Sequence, residues 1–165
     1  SNIVYGVKGV FMRILVISDS HGNTRNIERA VESQPEANII IHLGDGADDI
    51  VDLEFVYRDK QFYQVAGNCD WGSSLPLEGE LKVADKTIFF VHGHEYRVKT
   101  NLQQIKMEAR KRNADIVLFG HTHLPITEYD DELYLLNPGS LQYADGTYGI
   151  IDITDAGISV QIIKV

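Results

Sequence analysis

The sequence predicts one α/β domain built as two packed β-sheets with helices on the outside. Three observations predict it. Short apolar runs rich in Ile, Val, Leu and Phe recur along the chain; amphipathic stretches separate the early ones; and the pattern turns strand-rich after residue 126. At 165 residues the chain is long enough to bury a core without disulfide staples, and its single cysteine rules out an internal one. Residues 12–165 read as that domain. Residues 1–11 read as a tag or amino-terminal extension, because Met12 directly precedes the first strong strand pattern.

The elements follow in order. Residues 13–18 form a buried strand, and residues 23–33 an amphipathic helix opened by Asn23 or Thr24. Residues 39–43, 62–66 and 87–91 are further strands, with a helix-like segment at 48–53. Residues 81–84 make another strand, joined to 87–91 by a tight Asp85-Lys86 turn. Residues 100–112 are helical, with Leu102, Ile105 and Ala109 on one face. A strand at 115–119 precedes three or four hairpin-like strands over 126–164, where Asp145-Gly146 and Asp155-Ala156-Gly157 are turn signals. A plain three-layer α/β sheet ending in a meander fits the same pattern, and the residues leave that choice open.

Charge narrows the partners. The net charge is -9, from 24 acidic and 15 basic side chains, so a long polyanion is repelled and long nucleic acid is not an expected partner. Arg110, Lys111 and Arg112 are the nearest thing to a basic cluster, and they suit a helix C-terminus. No apolar run is long enough for a bilayer, and Lys8 and Arg13 interrupt the mildly apolar start, so neither a membrane span nor a secretory signal is expected. A cytoplasmic protein is the expectation. If it handles phosphate, the attraction must be local.

Polar motifs fall where strands end. The first strand runs into Asp19-Ser20-His21 and the second into Gly44-Asp45. Later strands run into Gly67-Asn68-Cys69-Asp70, His92-Gly93-His94 and Gly120-His121-Thr122-His123. Ligands of α/β sheets bind outside the carboxyl ends of the strands, so parallel neighbours would bring five motifs to one edge. Five of the six histidines lie in these motifs; the sixth, His42, falls inside a strand run and reads as a buried, hydrogen-bonded histidine. Imidazole and carboxylate are ligands for Mn, Fe, Co, Ni and Zn, and the lack of clustered thiolates argues against a structural zinc.

This ordered set resembles the five signature blocks of the calcineurin-like metallophosphoesterase superfamily, and most of all its small YfcE-type phosphodiesterase branch. The resemblance spans residues 13 to about 140 and implies the four-layer α/β/β/α fold. It implies that Asp19, His21 and His123 hold one divalent metal, that Asn68, His92 and His121 hold the other, and that Asp45 bridges them. It implies manganese first, with Ni, Fe, Co or Zn as alternatives, and a bridging hydroxide that attacks a small phosphate ester. Such a pair, about 3.5–4 Å apart, would stabilise the attacking and equatorial oxygens of an in-line displacement. Asp45, Asn68, Cys69 and His94 are the expected catalytic residues, and a homo-oligomer is compatible with the resemblance.

Two positions depart from the wider family. Many members carry histidine after the third-block asparagine, where this chain has Cys69. A thiol with a reference pKa of about 8.5 matches neutral acid catalysis less well than imidazole at about 6.5. Asn137-Pro138-Gly139-Ser140 resembles the loop after the last block but continues into Leu141-Gln142-Tyr143 instead of a Pro-Arg pair. Trp71 and Tyr143 either line a pocket for an aromatic ester or pack against a loop. Two functions compete with the phosphodiesterase: a phosphomonoesterase or nucleotide pyrophosphatase at the same site, and a protein-interaction scaffold like the eukaryotic retromer subunit of this fold. The filled ligand positions favour the enzyme.

Overall fold

The computed structural model describes residues 2–4 and 11–165; the rest of the amino-terminal extension lies outside the described residues. Strand β1 (Asn2–Val4) is followed by β2 (Met12–Ile17), α1 (Thr24–Ser33), β3 (Ala37–His42), α2 (Val51–Val56) and β4 (Gln61–Gln64). β2, β3 and β4 are parallel neighbours. Parallel neighbours cannot be joined by a hairpin, and the connections through α1 and α2 supply the two crossovers. β5 (Glu78–Val83) and β6 (Lys86–Val91) form a hairpin, after which α3 (Gln103–Lys111) leads to β7 (Ile116–Leu118), parallel to β6. β8 (Ile126–Asp130) and β9 (Leu133–Asn137) form a second hairpin, and β10 (Thr147–Thr154) and β11 (Gly157–Lys164) a third.

Two sheets result, ordered β1-β5-β6-β7-β9-β8 and β11-β10-β2-β3-β4. The last four strands therefore form no single meander: one hairpin joins each sheet, which excludes the three-layer alternative. β1 pairs in parallel with β5, from Asn2 opposite Leu81 to Val4 opposite Val83, so residues 2–4 add an edge strand.

Alternation along each strand builds the layers. Ile14 and Val16 of β2, Ile39 and Ile41 of β3, Ile88 and Phe90 of β6, and Ile116 and Leu118 of β7 meet in a core between the sheets. Their neighbours face outward: Leu15, Ile17 and Ile40 pack under Ile27, Ala30 and Val31 of α1, while Phe89 and Val117 pack under Ile105 and Ala109 of α3. Strands buried on both faces read as continuous apolar runs, as these do. The arrangement is the expected four-layer α/β/β/α sandwich. Among the described residues no helix is long and apolar enough to cross a membrane.

Local details differ from expectation. The β5–β6 turn is Ala84-Asp85, since Lys86 already pairs with Val83, and Ala84 takes φ 55° to close it. The α2 helix starts at Val51, not at 48, and α3 starts at Gln103, whose N–H is accepted by the Asn101 side chain at 3.0 Å. Asn23 caps α1 as expected, accepting from the Asn26 N–H at 3.1 Å. The basic cluster is occupied locally. Arg112 pairs with Glu108 and Glu78 and lies 4.2 Å over the Phe89 ring, and Arg110 donates to the carbonyls of Asp130 and Asp131.

Candidate metal centre

The parallel strands deliver their motifs to one edge. β2, β3 and β4 of one sheet, and β6, β7 and β9 of the other, end beside each other, and their loops are stitched across the gap. The Asp19 N–H donates to Gly44 O and the His21 N–H to Asp45 O, both at 3.0 Å, and the Gly120 N–H donates to His92 O at 2.8 Å. Asp19, buried in this seam, joins the two sheets: its Oδ2 accepts from Ser18 Oγ at 2.5 Å and from the His121 N–H at 3.1 Å.

Backbone strain is concentrated in the motifs. Asp19 (φ 53°), His21 (φ 43°), Asp45 (φ 58°), His121 (φ 69°) and His123 (φ 62°) all adopt left-handed conformations. Each such non-glycine residue costs on the order of 1–3 kcal/mol and persists only where surrounding contacts impose it. Gly67 is required by close approach, because a Cβ there would stand 2.2 Å from Asp45 Oδ1 and 2.5 Å from the Asp45 nitrogen. Gly44, at φ 105°, would place a Cβ 2.6 Å from the Gly67 nitrogen.

Five of the expected ligands, Asp19, His21, Asp45, His92 and His123, share one volume, and His121 stands beside them. Atoms of Asp19, His21 and His123 lie within 4.8 Å of one another, as do those of Asp19, Asp45 and His92. His123 Nε2 is 3.1 Å from Asp19 Oδ1, and His92 Nε2 is 3.4 Å from Asp45 Oδ2. The His121 ring centroid is 5.0 Å from that of His92. Asn68, the seventh, is exposed and not brought into these groups, its carboxamide nitrogen 3.6 Å from Cys69 Sγ. Cys69 Sγ sits with His21 and Asp45 in a third group within the same 4.8 Å. His94 stands beside the pocket, its ring 5.5 Å from His92 and 6.1 Å from His121, with Nδ1 buried and unpartnered.

Each donor is aimed by a bond behind it. Asp45 Oδ1 accepts from the Cys69 N–H at 2.8 Å, leaving Oδ2 toward His21 and His92. His92 Nδ1 lies 2.8 Å from Leu43 O, an acceptor only, so Nδ1 carries the proton and Nε2 faces the pocket. Asp19 Oδ1 and His92 Nε2 are both buried, both without hydrogen-bond partners and 3.9 Å apart. Two acceptors held face to face out of water are costly unless something positive stands between them. The nitrogen and oxygen donors fit a divalent transition ion.

Electrostatics agree with that fit. Burial would raise the Asp45 pKa, but His92 and the Cys69 N–H outweigh it and hold the carboxyl well below its usual range. Burial pushes the His121 pKa down to about 4, so its ring is neutral with a lone pair available at neutral pH. For His92, burial opposes the charge, yet the carboxylates of Asp45 and Asp19 beside its Nε2 raise its affinity for a proton. A cation would take that proton's place. Burial and the Asp45 charge push the Cys69 thiol up, so it stays protonated.

Several supporting residues had no assigned role in the sequence. Asp70, quoted only as the end of a motif, accepts four backbone N–H groups: from Asp45 and Gly67 on one oxygen, and from Gly46 and Ala47 on the other, at 2.7–3.0 Å. Burial opposes its ionisation, but these donors lower its pKa. A carboxylate just past a strand end beside a glycine was the available signal. The 137–140 loop braces the site. Asn137 Nδ2 donates to Gly120 O and Thr122 Oγ1, and Ser140 Oγ donates to Asp19 O at 2.8 Å. His42 is fully buried, as expected. It accepts the Gly44 N–H at Nδ1 and meets Ser20 Oγ at Nε2, 2.9 Å away. An open groove of about 670 Å³ is lined by His21, Asp45 and Cys69 together with Asp48, Gln64 and Trp71.

Comparison with known proteins places this chain in a class. Residues 12–156 match the calcineurin-like phosphoesterase superfamily domain, and the chain belongs to that family of metal-dependent phosphoesterases. It is 32% identical to the probable metallophosphoesterase YsnB of Bacillus subtilis over 133 residues, covering 79% of this chain and 76% of the relative. It is 29% identical to the phosphodiesterase MJ0936 of Methanocaldococcus jannaschii over 160 residues, 86% of this chain and 93% of the relative. The fold is shared with Vacuolar Protein Sorting 29 of Cryptosporidium parvum, at TM-score 0.73 and 16% identity, covering 94% of this chain and 98% of that one.

Proposed function

We propose that the protein is a cytoplasmic phosphodiesterase that holds two divalent ions, manganese foremost. Asp19, His21 and His123 would hold one ion and Asn68, His92 and His121 the other, with Asp45 shared. What supports this above all is the pair of buried, unpartnered acceptors, Asp19 Oδ1 and His92 Nε2, aimed at one volume. When bound, such ions supply Lewis acidity toward a phosphoryl group. The chain's own residues fix the donors' direction before substrate arrives. His94 and Asn68 would meet phosphoryl oxygens, and the protonated Cys69 thiol faces the leaving oxygen. Hydrolysis consumes one water and yields a monoester and an alcohol. The exposed free thiol of Cys69 suits a reducing compartment.

A diester fits better than a monoester. The groove beside the pocket is walled by Asp48, Asp49 and Asp70 and by no lysine or arginine among the described residues. The second negative charge of a monoester would find no cationic clamp there. The decisive experiment strips the protein with chelator and reloads it with manganese, then follows bis-(p-nitrophenyl) phosphate and p-nitrophenyl phosphate. Turnover only after reloading, with the diester faster, is expected. Inactivity with every divalent ion would leave the scaffold as the surviving alternative, and a faster monoester would reverse the substrate assignment.

Cys69 gives a second prediction. A thiol held protonated is a weak proton donor, so wild type should depend steeply on the acidity of the leaving alcohol. Cys69→His should improve an alkyl diester by about tenfold or more relative to a diaryl one, general acid catalysis contributing 10²–10⁴-fold where it operates. Equal ratios in both proteins would remove the role.

A further inference from the structure

We infer that Trp71 is a specificity residue that stacks a nucleobase-like ring on the non-leaving arm of the diester; this rests on the phosphodiesterase reading above. The chain's single tryptophan is 90% exposed, so it does not pack against a loop, although burying such a side chain is normally favourable. It lines the groove that His21, Asp45 and Cys69 also line. It is two residues beyond Cys69, a backbone span of at most about 7 Å, so it belongs to the same loop as the site. The other exposed aromatics among the described residues, Phe11, Phe55, Tyr129 and Tyr143, do not line this groove.

The groove's polar groups describe the ring. Asp49 and Asp70 are engaged with Ser20, Gly22 and four backbone N–H groups, whereas the exposed Asp48 carboxylate makes no hydrogen bond or ion pair among the described residues. Gln64 Oε1 lies in the groove wall, buried and without a partner. These are acceptors awaiting N–H donors. An indole face next to unpaired acceptors suits a planar ring edged with amino or imino groups, and it repels an anionic arm. Base-on-aromatic stacking of this kind carries no demand on the transition state, so it acts in KM and leaves kcat alone.

The experiment compares two diesters with the same p-nitrophenyl leaving group, adenosine 5′-(p-nitrophenyl) phosphate and methyl p-nitrophenyl phosphate, on the manganese-loaded protein. Wild type should show a KM about tenfold or more lower for the nucleoside diester; Trp71→Ala should erase that difference with kcat unchanged, and Trp71→Phe should restore part of it. Independently of turnover, adenosine 5′-monophosphate should quench the lone tryptophan's fluorescence saturably, and methyl phosphate should not. Turnover without discrimination or quenching overturns the inference and leaves the phosphodiesterase standing. Saturable quenching without turnover of either diester supports base binding and overturns the enzyme. Absence of both overturns both.

Discussion

Asp45→Asn is expected to lower kcat/KM for a diaryl phosphate by about three orders of magnitude or more, several kcal/mol of charge stabilisation being removed. The reason lies in how the side chain is held. Asp45 Oδ1 accepts the Cys69 N–H, and that bond lets an asparagine sit only one way round. The amide oxygen must keep the Cys69 contact, so the NH₂ group turns toward His92 and His21, where Oδ2 now stands 3.4 Å and 3.8 Å away. A donor then points into the volume meant for a cation, and one of only two carboxylates in the pocket is gone. Calorimetric manganese binding should weaken in parallel. The metal-free variant should unfold below the wild-type temperature, since burial opposes the Asp45 charge but His92 and the Cys69 N–H outweigh it, and a neutral amide gives up that net gain. Full activity would show that Asp45 is not shared between ions.

What the sequence made legible was whatever period two and strand-end position encode. Ile14–Ile17 and Ile88–Val91 announced strands buried on both faces, and every histidine motif fell at a strand tip, so the pocket followed once the strands were parallel. The division of the last four strands between two sheets was not legible, because Leu133–Asn137 and Thr147–Thr154 carry the same local pattern whichever partner they choose. Pairing is a tertiary decision. The turn at Asp131-Glu132 was hidden as well: both residues take positive φ without the glycine that normally marks such a turn. Asp70 illustrates a different limit. Its four backbone donors come from the chain at 45–47 and at 67, and no spacing in the sequence says that these loops touch. The exposure of Trp71 is set by the fold and not by its neighbours in sequence, and exposure decides between packing and binding.

His42→Ala should cost about 3 kcal/mol of stability at pH 7.5, and that cost should shrink as pH falls. The imidazole is fully buried between two motifs. Its Nδ1 accepts the Gly44 N–H at 3.0 Å, which puts the proton on Nε2, where it is donated to Ser20 Oγ; Ser20 in turn donates to Asp49 at 2.6 Å. Alanine leaves a cavity and an orphaned Gly44 N–H, each on the order of 1–3 kcal/mol. Burial lowers the His42 pKa from 6.5 to about 4, outweighing the pull of Asp49. The folded state therefore resists a proton that the unfolded chain accepts. The stability His42 contributes is full above pH 6.5 and drains away as pH drops toward 4, by about 3 kcal/mol at most. Carboxylate titration is common to both proteins and cancels in their difference. Urea unfolding of metal-free wild type and variant at pH 7.5 and pH 4.5 should thus show a wide gap in the first case and a narrow one in the second. A gap that is the same at both would mean that His42 is not held neutral. Because Gly44 and Ser20 flank Asp45, Asp19 and His21, the variant should also bind manganese about 10- to 100-fold more weakly, the loss typical of removing a group that orients ligands from behind.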